Sequence, residues 1–91
     1  MNQWEITFSK GSLKFLSKNH LPEMLVTKAI VSVVKKMSGE NINVDLKKLH
    51  PPYQDCFRIR IGRIRIVFRI NFTLYYVEVI EVNWRGSAYR T

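Results

Sequence analysis

Hydrophobic and polar positions follow two different periods along this chain. From Phe57 to Arg69 apolar residues and arginines alternate on either side of Gly62, a period of two broken by one tight turn. That pattern predicts a β-hairpin. With Gly62-Arg63 as a two-residue turn, Arg60 stands opposite Arg65 on one face, together with Arg58 and, further along, Arg69. Trp4, Ile6 and Phe8 alternate with Glu5 and Thr7 and predict a short first strand. Period 3.6 then takes over. Ser9 suits the cap of a helix reaching about Lys18, with Leu13 and Leu16 inward. Asn19-His20-Leu21 interrupts it, and Pro22 suits the first turn of a second helix. Val26, Ile30, Val33 and Met37 form its apolar stripe, widened by Leu25, Ala29 and Val34. Lys35 and Lys36 favour the C-terminal end of the helix dipole, and Gly39 suits the cap.

Residues 40–55 place Val44, Leu46 and Leu49 among polar positions before Pro51-Pro52, which reads as a loop with at most one short piece of regular structure. Strands are expected at 56–61, 64–71 and 74–82, with Asn71-Phe72-Thr73 as the second turn. Ile59, Ile61, Ile66, Phe68 and Ile70 supply the face that packs on the helices. The predicted order is β-α-α-β-β-β: an α+β fold, one domain over 1–91, with a helical hairpin on one face of an antiparallel sheet and strand 64–71 central.

Charge sharpens this picture. The 91 residues carry a formal charge of +8. Residues 1–45 hold six lysines and four acids, whereas residues 46–91 hold nine basic residues and three acids. All seven arginines lie beyond residue 57. Concentrating guanidinium groups on one element is the footprint of a nucleic-acid binder or of a protein with an acidic partner. Like charges opposite each other destabilise a ladder, so the arginine face calls for an anion, and phosphate matches the guanidinium fork. A single cysteine, Cys56, excludes an internal disulfide and fits a reducing, cytoplasmic setting. No signal peptide or bilayer-spanning stretch is expected.

Five segments at this spacing resemble the RelE/ParE toxin superfamily: Leu46-Lys47-Lys48-Leu49, Cys56 to Gly62, Arg65-Ile66-Val67-Phe68, Val77-Glu78-Val79-Ile80, and Trp84-Arg85-Gly86-Ser87-Ala88-Tyr89. The opening Trp4-Glu5-Ile6-Thr7-Phe8-Ser9-Lys10 fits as well. The closing Arg85-Gly86-x-x-Tyr89 resembles the RelE branch, whose members are ribosome-dependent endoribonucleases acting on mRNA. The ParE branch, which inhibits DNA gyrase, is the alternative, as is a degenerate RNA-binding module of the same fold. The chain departs from the family in two places. Arg63-Ile64 stands where an acidic residue and an aromatic are usual, and Trp84 stands where many members have histidine.

The resemblance implies a type II toxin with an antitoxin as partner, acting on the ribosome and its mRNA, with no membrane and no cofactor. It puts the chemistry on Arg58, Arg60, Arg65, Arg85 and Tyr89. Arg65 and Arg85 would hold the scissile phosphate, and Tyr89 would act as base or stack on a nucleobase. Arg58 and Arg60 replace lysines of the RelE branch. A guanidinium is a poor proton shuttle, so they are cast as electrostatic stabilisers. Lys47, Lys48, Arg63, Arg69 and Trp84 are candidate RNA contacts.

Structural roles stand beside these. Arg60 and Arg69 have a bland reading as solvated strand residues, Glu78 as a counter-charge to Arg69 and Arg58, Tyr89 as packing near the chain end, and Trp84 as a core residue. Cys56 reads as a small buried hydrophobe. The sequence holds no carboxylate cluster of metal-binding type, and His20 and His50 are far apart, so no metal site is expected.

Overall fold

The computed structural model describes residues 4–53 and 55–86. The elements run β1 (Glu5–Phe8), α1 (Lys10–Lys18), α2 (Glu23–Met37), β2 (Asp45–Lys48), β3 (Cys56–Ile61), β4 (Ile64–Asn71) and β5 (Tyr76–Trp84). They form one five-stranded sheet in the order β1-β5-β4-β3-β2. Leu16 of α1 and Val26, Ala29, Ile30 and Val33 of α2 are buried with Ile59, Ile66, Phe68, Val77, Val79 and Val82 in one core. The helices therefore cover one face of the sheet. Strand β4 is central, and Ile66 and Phe68 are fully buried on the helix side, as the alternation predicts.

Local chemistry sets the helix ends. The Ser9 hydroxyl accepts from the Ser12 backbone N–H at 3.1 Å, and it donates to the Ile80 carbonyl at 2.7 Å, fixing α1 to β5. At the end of α2, Gly39 takes φ +102°; its N–H donates to the Lys36 carbonyl and the Glu40 N–H to the Lys35 carbonyl, both at 3.1 Å. That reciprocal pair is a Schellman cap.

Four details differ from the sequence reading. Leu13, expected inward on α1, is exposed. The sheet is mixed, because β1 pairs in parallel with β5, Ile6 beside Val77 and Phe8 beside Val79. The stretch expected as loop contains β2, antiparallel to β3 with Leu46 opposite Ile59. A four-residue strand with one apolar residue has almost no periodicity of its own, and it forms because β3 offers an edge and Arg58 grips Asp45. Finally, β5 starts at Tyr76 instead of residue 74. The Asn71 side chain accepts from the backbone N–H groups of Thr73 and Leu74 at 2.9 and 2.8 Å, which lengthens the turn.

Candidate functional site

The face of the sheet away from the helices carries the arginines. On β3, Arg58 and Arg60 project to that side, and the ladder sets Arg60 opposite Arg65 and Arg58 opposite Val67. The next strands extend the rows. Asp45 pairs with Arg60 and Lys47 with Arg58 on β2; Asn83 pairs with Arg65 and Glu81 with Val67 on β5. Arg58 and Arg65 are only 4% and 3% exposed, although no described helix covers this face. Burying a guanidinium is costly unless something answers its charge. Asp45 does so in part. Nη1 of Arg58 donates to Asp45 Oδ1 at 3.0 Å and to the Asp45 carbonyl at 3.1 Å, and Nη1 of Arg60 lies 3.9 Å from Oδ2.

The hydrogen bond from Arg58 holds the Asp45 carboxyl below its ordinary range, with the charges of Arg58, Arg60 and Arg85 acting in the same direction. Arg85 thus belongs to the same electrostatic cluster. It reaches the site by anchoring to the β3–β4 turn. Its N–H donates to the Arg63 carbonyl at 2.8 Å and its Nη1 to the Gly62 carbonyl at 3.1 Å. Gly62 sits at φ +55°, as a tight turn requires. A hollow of about 230 Å³ lies there, lined by Gly62, Arg63, Trp84, Arg85 and Gly86. Cations on the sheet face and at the hairpin tip, held by backbone and carboxylate contacts, form a surface suited to a phosphodiester chain.

No family model matches the sequence, and no curated protein matches it significantly. Solved structures do match. A RelB-RelE antitoxin-toxin complex from Methanococcus jannaschii is similar over 92% of this chain and 95% of its own, with TM-score 0.58 and 26% identity. The RelBE2 toxin-antitoxin complex from Mycobacterium tuberculosis matches over 92% of this chain and 100% of its own, at TM-score 0.59 and 21% identity. A metal-bound toxin from Helicobacter pylori matches over 96% and 100%, at TM-score 0.67 and 16% identity. The chain has the RelE-like toxin fold. Its structural neighbours are toxins, including ones solved together with their antitoxins.

Within this RelE-like fold the candidate residues separate into groups. Arg58, Arg60, Arg65 and Lys47 share the face away from the helices, and Arg63 and Arg85 gather at the hairpin tip. Arg69 is drawn elsewhere. Its Nη1 donates to Glu78 at 3.0 Å, and it sits four residues from Arg65 along β4, a separation of about 13 Å. The counter-charge expected of Glu78 is thus realised for Arg69, whereas Arg58 turns to Asp45. Lys48 is in register with Phe57 and Trp84 with Ile64, both on the side of the sheet opposite the arginines. Trp84 meets Phe15 of α1 edge-on at 5.3 Å while staying 40% exposed at the tip hollow. Tyr89 lies outside the described residues. Cys56 is buried. Among the described residues no three His, Cys, Asp or Glu side chains gather as a metal site, and no helix is long and apolar enough to cross a membrane.

Two participants escaped the sequence reading. Asp45 lay in a segment read as loop. Glu81 was hidden by a break in alternation that is visible in the sequence: Val77 and Val79 are followed by Val82, an odd-to-even switch that signals a bulge.

Proposed function

We propose that this chain is the toxin of a type II toxin–antitoxin pair and that it cleaves mRNA on the ribosome without a metal ion. The observation that supports this best is the direct opposition of Arg60 and Arg65 on the sheet face away from the helices, with Arg58 and Arg65 almost wholly buried there. Buried, ordered cations suit charge that develops at one place. An oxyanionic phosphorane is such a charge, and fixed donors aimed at it lower its energy without reorganising at the moment of reaction.

The reaction is attack of a ribose 2′-oxygen on the adjacent phosphorus with departure of the 5′-oxygen. Arg65 and Arg85 hold the scissile phosphate. Arg58 and Arg60 stabilise the added negative charge, and Asp45 fixes the first of them by its 3.0 Å contact. Lys47 and Arg63 guide the flanking backbone, and Tyr89 stacks on a base or takes part in proton transfer. The basic face also suits an antitoxin segment that is acidic.

Purified protein added to translating ribosomes tests this. The expected result is truncated message with new ends, and growth arrest on expression relieved by the antitoxin. Intact message together with inhibited gyrase would transfer the chain to the ParE-like alternative.

A further inference from the structure

The arginine face carries one carboxylate that the roles above leave unused. In the β4–β5 ladder Phe68 pairs with Val79 and Val67 with Glu81, so Ile80 is an extra residue on β5. This bulge reverses the strand's alternation. Glu78 already faces the arginine side, opposite Arg69, so unbroken pairing would point Glu81 at the helices; the bulge turns it outward instead and sends Val82 into the core. The bulge is held in place, since the Ile80 carbonyl accepts from the Ser9 hydroxyl at 2.7 Å. Bulges recur where a sheet re-aims a side chain at a functional site.

The row Arg58–Val67–Glu81 then ends in two unmet hydrogen-bonding demands. Among the described residues, Nε of Arg58 is a buried donor and Oε1 of Glu81 a buried acceptor, and neither has a hydrogen-bond partner. The backbones of these two residues lie two strand spacings apart, about 10 Å. Unmet buried groups are costly and call for a ligand that satisfies them. That ligand must offer an acceptor to the arginine side and a donor to the glutamate side. A ribonucleotide does both: its phosphate oxygens accept, and its 2′-hydroxyl donates. A deoxyribonucleotide lacks the donor. Glu81 as a whole is half-buried, so part of its side chain is open on this face, and a bound strand would have to draw the buried Oε1 toward it.

We propose that Glu81 accepts the proton of the attacking 2′-hydroxyl, an assignment that rests on the nuclease reading above. The proton passes to the Glu81 carboxylate and the 2′-oxygen bonds to phosphorus. The phosphorus–5′-oxygen bond breaks and that oxygen leaves with a proton from water. The products are a 2′,3′-cyclic phosphate and a 5′-hydroxyl. Glu81 thereby takes the proton-accepting role that Arg58 and Arg60 are unable to fill, and Tyr89 is left to stack.

The test is single-turnover cleavage of ribosome-bound message across pH, with ribosome binding measured in parallel. Glu81→Gln keeps the shape and loses the base. It should slow cleavage about 10²- to 10⁴-fold, the usual worth of a positioned base, and leave ribosome binding within a few-fold. Wild type is expected to slow toward acid pH, and in Glu81→Gln that fall should vanish. Glu81→Asp should cleave about 10²-fold more slowly, because the carboxylate sits short of its position, and should keep the acid-side fall. A folded Glu81→Gln protein with wild-type rate and pH profile overturns the assignment and leaves the nuclease reading intact. If Glu81→Gln does not fold, wild-type rate in Glu81→Asp overturns it equally. Wild type that cleaves no message removes both.

Discussion

The Asp45 carboxylate stands 3.0 Å from the guanidinium of Arg58, pairing a half-exposed acid with a side chain that is 95% buried. The partnership ties edge strand β2 to the arginine face. Because the contact lowers the Asp45 pKa, it stabilises the fold fully above the ordinary value of 3.8 and is lost as pH falls below it. Asp45→Asn should lower the denaturation midpoint at neutral pH and should narrow the gap to wild type in strong acid. Denaturant titrations at both pH values check this; an unchanged gap would show that the contact contributes nothing.

Phe68 is fully buried and stacks on Phe57 at 5.9 Å beneath the helices. Phe68→Ala should cost about 3–5 kcal/mol, the range for a buried aromatic truncated in a packed core. Chemical denaturation measures it directly. A loss well under that range would contradict the assignment of the helix-bearing face.

Binding to RNA should weaken steeply with salt, because each phosphate contact releases counterions. With Arg58, Arg60, Arg65 and Arg85 engaged, log affinity should fall against log salt with a slope near −3, about −0.7 per contact on a single strand. Arg69 is neutralised by Glu78, so Arg69→Gln should leave the slope nearly unchanged while Arg85→Gln lowers its magnitude. Fluorescence anisotropy with a labelled oligoribonucleotide separates the two.

The strongly periodic segments were legible in the sequence. The Gly62 turn, the Arg60–Arg65 pairing, the Ser9 cap and the burial of Ile66 and Phe68 all follow from alternation or cap chemistry acting over a few residues. What escaped depends on distant partners. Strand β2 forms by joining β3, the parallel placement of β1 depends on β5, and the outward turn of Glu81 depends on a bulge braced by Ser9, 71 residues away. Arg69 shows the converse. Its place in the alternation allowed both a phosphate contact and a Glu78 counter-charge, and the structure shows the pairing with Glu78.

The proposed cleavage depends most on Arg65. It is 3% exposed on the central strand, opposite Arg60, where packing holds its guanidinium still. The decisive measurement is the rate at which folded Arg65→Ala protein cuts message on translating ribosomes, with Arg65→Lys beside it and folding checked by circular dichroism. The rate should fall about 10²- to 10³-fold or more for Arg65→Ala, as for loss of one preorganised transition-state donor, with incomplete rescue by lysine, which lacks the fork. A folded Arg65→Ala protein that cuts at the wild-type rate would contradict the proposed mechanism.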